Sequence, residues 1–312
     1  MENIEVSSMP LVSVVITTYK RSEMLLRAIE SVLIQTYKDI EVIVVDDGSP
    51  EPVCDSLQQI FGDRIRCVSH PQNLGAPAAR NTGIRQSRGK YVAFLDDDDV
   101  WLPQKLEKQM LLFDEGVAMV FCGEAIYADG KLVRERPAKW LAGGNNGLLR
   151  YNPIGGTSVA VIDKKCLDDV KGFDEALQAA QDWDLWLRIS QKHSIRCVPE
   201  VLICRHLHGL QISSSLKKRI CGRMQFIEKH KDLLSTEPFS LAQNLRRLAC
   251  LQYIDNNKEI ANNYFMEAIR AYPFSRNNYI CYFVSLFFPK KLADKILSLF
   301  AVSIYKDKMM YH

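Results

Sequence analysis

The run Phe94-Leu95-Asp96-Asp97-Asp98-Asp99 sets four consecutive carboxylates directly after the apolar stretch Tyr91-Val92-Ala93. Carboxylates crowded at the end of a buried strand repel one another unless a cation offsets their charge. Their hard oxygen ligands suit magnesium or manganese. A cation at a strand end is in turn suited to phosphate oxygens, which complete its shell. The alternative is a solvated acidic loop, which gains nothing from following so apolar a strand.

Two other polar clusters have the same setting. Thr17-Thr18-Tyr19 follows the β-branched run from Val12 to Ile16, and Asp46-Asp47-Gly48-Ser49 follows the run from Glu41 to Val45. Each run reads as a strand. Helical spacing separates them: Leu25, Ile29, Val32 and Leu33 repeat after a candidate cap at Ser22, and helices are expected from about Pro52 to Ile60 and from Ala76 to Gln86. Ile65 to Ser69 completes the alternation, and Pro103 opens a further helix. Strands apolar on both faces alternating with helices specify an α/β fold with a mainly parallel sheet covered by helices. In such sheets ligands bind beyond the carboxyl ends of the strands, so the three clusters should meet there.

Further on, Val117 to Cys122 and Ser158 to Ile162 read as strands, with Gly- and Asn-rich loops at Gly143 to Gly147 and Asn152 to Gly156. Those loops either admit a ligand close to the backbone or are plain turns. After about Leu216 the pattern is helical throughout, with Leu241, Leu245 and Leu248, then Ile260, Tyr264, Ala268 and Tyr272, in register. One helix pair there is similar to a tetratricopeptide unit, without the copies that a repeat requires. The expected division is 1–215 (with parts of about 10–115 and about 116–215) and a helical region 216–312.

Composition narrows the class. The chain has 312 residues, 47% of them hydrophobic, and a net charge of +3, which gives no electrostatic case for nucleic acid. Nine cysteines without a CxxC pair indicate neither a zinc site nor a disulfide scaffold, and free thiols fit a reducing cytosol. Met1 to Pro10 lacks the basic start and apolar core of a signal peptide. No apolar run reaches the roughly 18 residues of a spanning helix, so a cytoplasmic location is expected.

Five segments occur in order: Ser13 to Tyr19, Val44 to Ser49, Asn73-Leu74-Gly75 with Ala79-Arg80-Asn81, Asp96 to Asp99, and Gln181-Asp182-Trp183-Asp184-Leu185-Trp186. Together they resemble glycosyltransferase family 2 over about the first two-thirds of the chain. The resemblance implies the GT-A fold and inverting transfer of a sugar from a nucleotide donor to a saccharide or lipid-linked acceptor. It implies that Asp47 accepts from the uracil imide N–H, that Tyr19 lies against the base, and that Thr17 contributes through its backbone. Asp47 also has a turn reading before Gly48, but the turn needs only one of the two aspartates. Asp96 and Asp98 fit the family's D-x-D pattern, with Asp98 the metal ligand for manganese or magnesium and Asp96 nearer the ribose or donor sugar. Asp97 and Asp99 cap the following turn or bind water.

Arg80 pairs either with the diphosphate or with the base-binding carboxylate, or forms a surface ion pair. Asp182, at a helix start, matches the aspartate of the family's Glu-Asp pair and is the expected general base, with Gln181 replacing the glutamate. Its other reading is favourable placement on the helix dipole. His208 completes the metal shell, touches the diphosphate, or is a loop histidine; His206 has the weaker claim. The processive signature Gln-x-x-Arg-Trp is absent, which favours one sugar per encounter. A nucleotidyltransferase and a non-catalytic nucleotide-sugar-binding scaffold are the competing readings. Near the C-terminus, apolar Tyr279 to Phe288 is followed by Lys290, Lys291 and Lys295. This suits either peripheral contact with an anionic membrane or packing on the catalytic domain or a homodimer interface.

Overall fold

The computed structural model describes residues 12–139, 144–207 and 215–301. The chain divides into two compact units, one of Met1–Trp140, Ile154–Glu175 and Arg188–His208, the other of Leu141–Pro153, Ala176–Leu187 and Gly209–His312. The helical unit thus takes in two short segments from the earlier part of the chain, which a reading of composition alone does not separate.

Among the described residues the first unit is built on nine strands: β1 (Val12–Thr18), β2 (Ile40–Asp46), β3 (Arg66–Ser69), β4 (Tyr91–Asp96), β5 (Asp99–Trp101), β6 (Val117–Ala128), β7 (Lys131–Arg136), β8 (Ala160–Asp163) and β9 (Ser194–Leu207). They form one sheet in the order β3-β2-β1-β4-β8-β6-β9-β5, with β7 paired to β6. β1, β2, β3 and β4 are mutually parallel, whereas β8 runs antiparallel to both β4 and β6. Helices α1 (Ser22–Leu33), α2 (Cys54–Phe61) and α3 (Ala76–Gln86) make the crossovers, followed by α4 (Lys105–Met110) and α5 (Lys164–Asp169). Val14, Val15, Ile16, Val44, Val45, Val92 and Phe94 are buried, as strands covered on both faces require.

Local details differ from the sequence reading. Ser22 is the first helical residue of α1, and Arg21 occupies the cap position without a side-chain cap bond. Asp99, expected at the turn or on water, starts β5 instead, while Asp96 ends β4 and Asp97 and Asp98 form a tight turn between them. Ser158 belongs to a short 3-10 turn that precedes β8. Cys54 and Cys67 form a disulfide with Cα atoms 5.4 Å apart, so these two are not free thiols. They lie 13 residues apart on α2 and β3, a pairing made by the crossover and not by a sequence motif.

Helix α6 (Gln181–Ser190) begins in the helical unit, which continues with α7 (Leu216–Lys229), α8 (Lys231–Ser235), α9 (Pro238–Ile254), α10 (Lys258–Ala271), α11 (Arg276–Phe287) and α12 (Lys290–Ala301). α9 packs against α7, α8, α10, α11 and α12, which buries it nearly all round. The inward stripe of α10 is Ala261, Phe265 and Ala268; Ile260, placed on the stripe by spacing alone, is exposed. α11 and α12 contribute Cys281, Val284, Ala293 and Leu297 to the same core. The other side of α11 is apolar yet exposed, with Phe283 54% and Phe287 68% accessible. Among the described residues no helix is long and apolar enough to cross a membrane.

Candidate active site

Strand register brings the three polar clusters of the first unit together. Thr17 of β1 lies opposite Asp96 of β4 and Val45 of β2, and Thr18 lies opposite Asp46. Asp47 N donates to Thr18 O at 2.9 Å, which continues the alignment one residue past β2. Gly83 lets α3 lie close on β1, since a Cβ there would fall 2.1 Å from Val15 Cγ1. That seating brings Arg80, one turn earlier on α3, to the strand ends.

Both aspartates after β2 are committed internally. Asp46 accepts from Ser49 N at 3.0 Å and Val53 N at 3.2 Å. Asp47 Oδ1 accepts from Leu74 N and His70 Nδ1, and Oδ2 from Gly75 N and Asn73 Nδ2, all at 2.8–2.9 Å. Four donors occupy the four lone-pair sites of a carboxylate. Arg85 and Thr82 complete the chain: Arg85 Nη2 donates to Thr82 Oγ1, which faces His70 Nε2 at 2.9 Å. The turn after β2 thus uses only one of the two aspartates. Asp46 holds the turn, and Asp47 holds the loop Asn73-Leu74-Gly75. Tyr19, just past β1, is 37% exposed, with Lys20 Nζ 4.8 Å from its ring centroid.

The acidic run splits into two groups of contacts. Asp96 Oδ1 accepts from Arg80 Nη2 at 2.6 Å and from Thr157 Oγ1 at 3.1 Å. Burial works to raise the Asp96 carboxyl, but Arg80, Thr157 and Arg21 together hold the group below the usual range. Arg80 therefore pairs with the acidic run and not with Asp47. Asp97 accepts from Thr18 Oγ1 at 2.7 Å and Arg21 Nη1 at 2.9 Å, yet burial pushes it up to about 6. The same Arg21 Nη1 reaches Asp98 Oδ2 at 3.2 Å.

Asp99 takes Ser158 Oγ at 2.6 Å on Oδ2, while its buried Oδ1 has no donor among the described residues. Burial, then Asp96 and Asp98, push Asp99 well above the usual range. Asp96, Asp98 and Asp99 bring carboxylate oxygens within 4.8 Å of one another. An orphaned buried oxygen in a trio of hard ligands fits a divalent cation. Asp99, assigned from sequence to turn or water, was missed as a member of the trio. Arg21 was missed as well, because nothing in its local sequence marks it. His208 lies outside the described residues. His206, on β9, stacks on Tyr127 at 5.5 Å, and its imidazole is held low by burial and by Arg27, with Asp98 opposing.

Asp182 and Asp184 stand at the start of α6 in the helical unit. Ala180 just before them has φ 61°, a left-handed conformation that side chains other than glycine seldom adopt. Asp182 is half-buried; its Oδ1 accepts from Trp183 N at 2.8 Å and its Oδ2 from Asn152 Nδ2 at 3.1 Å. Asp184 is fully buried, and its Oδ1 meets His230 Nε2 and Lys229 Nζ, each at 2.9 Å. The two carboxylates of one motif thus have different surroundings. Trp183 stacks on Phe226 at 3.7 Å and donates to Leu148 O at 2.6 Å.

Residues 13–167 match the family described as Glycosyl transferase family 2. Over 263 residues the chain is 33% identical to the putative colanic acid biosynthesis glycosyl transferase WcaA of Escherichia coli K12, covering 80% of this chain and 90% of that one. The chain belongs to glycosyltransferase family 2.

Other relatives include the uncharacterized glycosyltransferase RP339 of Rickettsia prowazekii, 31% identical over 235 residues, covering 72% of this chain and 71% of the relative. WfaP of Escherichia coli, a UDP-Glc:alpha-D-GlcNAc-diphosphoundecaprenol beta-1,3-glucosyltransferase, is 32% identical over 185 residues, 59% of this chain and 72% of that protein. The chain spans only 31% and 46% of the length of the uncharacterized glycosyltransferases of Rickettsia bellii and Rickettsia conorii. Among solved structures, S. aureus TarS 1-349 in complex with UDP-GlcNAc superposes with a TM-score of 0.61 at 16% identity, over 96% of this chain and 93% of that one. The mannosyltransferase PcManGT from Pyrobaculum calidifontis, in complex with GDP-Man and Mn2+, gives 0.60 at 17%, over 97% and 88%. These likenesses establish the GT-A fold of this family 2 glycosyltransferase.

Proposed function

We propose that the chain moves one sugar from a UDP-linked donor to a saccharide or lipid-linked acceptor, with inversion at the anomeric carbon, in surface polysaccharide assembly. The observation that carries this reading is the trio of half-buried Asp96 and buried Asp98 and Asp99, beside the ends of β1 and β2. The names of WcaA and WfaP support the acceptor class. The UDP-GlcNAc complex of TarS supports a UDP donor, and the Mn2+ in PcManGT supports a metal.

In this reading Tyr19 stacks on the base, Thr17 lines it, and Asp47 acts by holding the Asn73–Gly75 loop against the donor. Asp98, Asp96 and Asp99 would hold manganese or magnesium, with His208 a further candidate ligand. When bound, the ion supplies Lewis-acid stabilisation of the leaving diphosphate. Arg80 and Arg21 are the chain's own cations for that group, and Asp97 keeps Arg21 in place. The acceptor oxygen bonds to the anomeric carbon as the carbon–diphosphate bond breaks. The diphosphate leaves with the bonding pair, and the hydroxyl proton passes to Asp182. Asp182 Oδ1 accepts from Trp183 N and Oδ2 from Asn152 Nδ2, which orient the carboxylate for that proton.

The exposed side of α11, with Phe283 and Phe287 followed by Lys290, Lys291 and Lys295, supports peripheral contact with an anionic membrane. Because Cys281 and Val284 of the same helix are core residues, truncation is a poor test. Phe283→Ser with Phe287→Ser should abolish sedimentation with anionic vesicles while leaving folding intact. Loss of self-association instead would make this face a homodimer interface.

The deciding experiment is a thermal-shift panel of nucleotide sugars with manganese, followed by transfer or hydrolysis of the stabilising donor. Stabilisation by a UDP-sugar, lost in EDTA and in Asp98→Asn, is expected. Stabilisation by no nucleotide sugar overturns the reading, and full activity in EDTA removes the metal from it.

A further inference from the structure

The helical unit sets three arginines close to one another. Arg219 and Arg223 stand one turn apart on α7, and Arg247 of α9 is close enough to repel Arg223. Burial, then Arg247 and Arg219, push the Arg223 guanidinium down to about 9. Its hydrogen-bond partner is the neutral Asn244, with Nη1 donating to Oδ1 at 2.7 Å. Its guanidinium carbon lies 4.6 Å from the centroid of Trp183, the residue after Asp182. The Arg219 side chain makes no hydrogen bond or ion pair among the described residues. Arg219 and Arg223 both keep partial exposure as residues.

A short strap of chain links these arginines to Asp182. Leu148 O accepts from Trp183, Leu149 O from Asn244 Nδ2 at 2.8 Å, Arg150 O from Arg247, and Asn152 donates to Asp182. The cluster is thus fixed relative to Asp182 within one unit. Like charges held together in a partly desolvated place are unfavourable until an anion arrives. A guanidinium stacked on an indole and oriented by an amide is already ordered for phosphate, whose oxygens match its fork.

We propose that Arg219 and Arg223, backed by Arg247, form an anion site that takes the phosphate or diphosphate of the acceptor next to Asp182. This rests on the reading of Asp182 as the base. It makes the acceptor one whose anionic group lies close to the attacking hydroxyl, as in a sugar linked to a phosphate. The phosphate belongs either to a membrane-borne polyprenyl diphosphate sugar or to a soluble phosphosugar.

The test is calorimetric titration of the full chain with inorganic pyrophosphate in metal-free buffer. The wild type should bind, Arg219→Gln and Arg223→Gln should each weaken binding at least tenfold, and Arg223→Lys should keep part of it. No binding by the wild type, or equal binding by all variants, overturns the site. UDP titration with manganese on the same samples reports the donor side separately. Absent UDP binding with intact pyrophosphate binding would count against the donor reading and not against this site. Competition then names the source: vesicles carrying a polyprenyl diphosphate sugar, or a soluble sugar phosphate, should displace pyrophosphate. Displacement by neither overturns the proposal.

Discussion

Arg21 and Asp98 form an ion pair at 3.2 Å, through the same Nη1 that holds Asp97 at 2.9 Å. A cation coordinated by Asp98 must therefore compete with a side chain already there. Arg21→Met should lower metal-free stability by about 1 kcal/mol, the modest value expected for a pair with one partly exposed partner. It should also enlarge the rise in melting temperature on adding manganese. Equal increments in wild type and variant would show that Arg21 and the metal do not share Asp98.

Asp182 and Asp184 should separate cleanly. Asp182→Asn should leave the melting temperature and UDP affinity near wild type while turnover falls by at least about 100-fold. Asp184→Asn removes the buried partner of Lys229 and His230. It should cost roughly 3 kcal/mol, read by chemical denaturation, with activity following the folded fraction. A stable but inactive Asp184→Asn would move the base to that position.

At Asp47, replacement by Asn turns one acceptor oxygen into a donor facing donors. The variant should lose about 2 kcal/mol and bind UDP more weakly, because the Asn73–Gly75 loop is released. Unchanged UDP affinity in a correctly folded Asp47→Asn would separate that loop from the donor.

Lys105 supplies a pH dependence away from the acidic run. It is fully buried, 3.8 Å from the Trp101 ring centroid, and donates to Gln109 Oε1 at 2.7 Å. Burial pushes it down to about 8. The unfolded chain, with a lysine near 10.4, binds more protons than the folded one above about pH 8, so stability should rise with pH in that window. The rise is bounded at about 3 kcal/mol. Lys105→Met should flatten it, as measured by urea unfolding at pH 7.5, 8.5 and 9.5. A slope that survives the substitution would assign it to another group.

The parallel half of the sheet was legible because β1, β2 and β4 are largely apolar on both faces, and that pattern has few other solutions. The meeting of Thr17, Asp46 and Asp96 followed from the parallel order alone. Asp99 was not legible, since its membership in the trio depends on a two-residue turn that sends the chain back as a strand. Arg21, Arg80 and Asp47 were visible as residues, but their partners lie 16 to 77 positions away, and spacing carries no such information. In the helical unit the inward stripe of α10 was misread by one residue. Tyr and Ile score as well as Ala in a periodic pattern, and only close packing against α9 selects the smaller side chain.

Gly83 acts as a spacer of zero thickness between α3 and β1. The distance from α3 to the strand sets how far Arg80 must stretch to meet Asp96 at 2.6 Å. One added methyl group at position 83 would work as a wedge, lifting the helix and with it the guanidinium. The position touches no polar group of the site, yet it calibrates one. Drift in a descendant sequence is therefore constrained here by a thickness and not by a chemistry, and the permitted alphabet has a single letter.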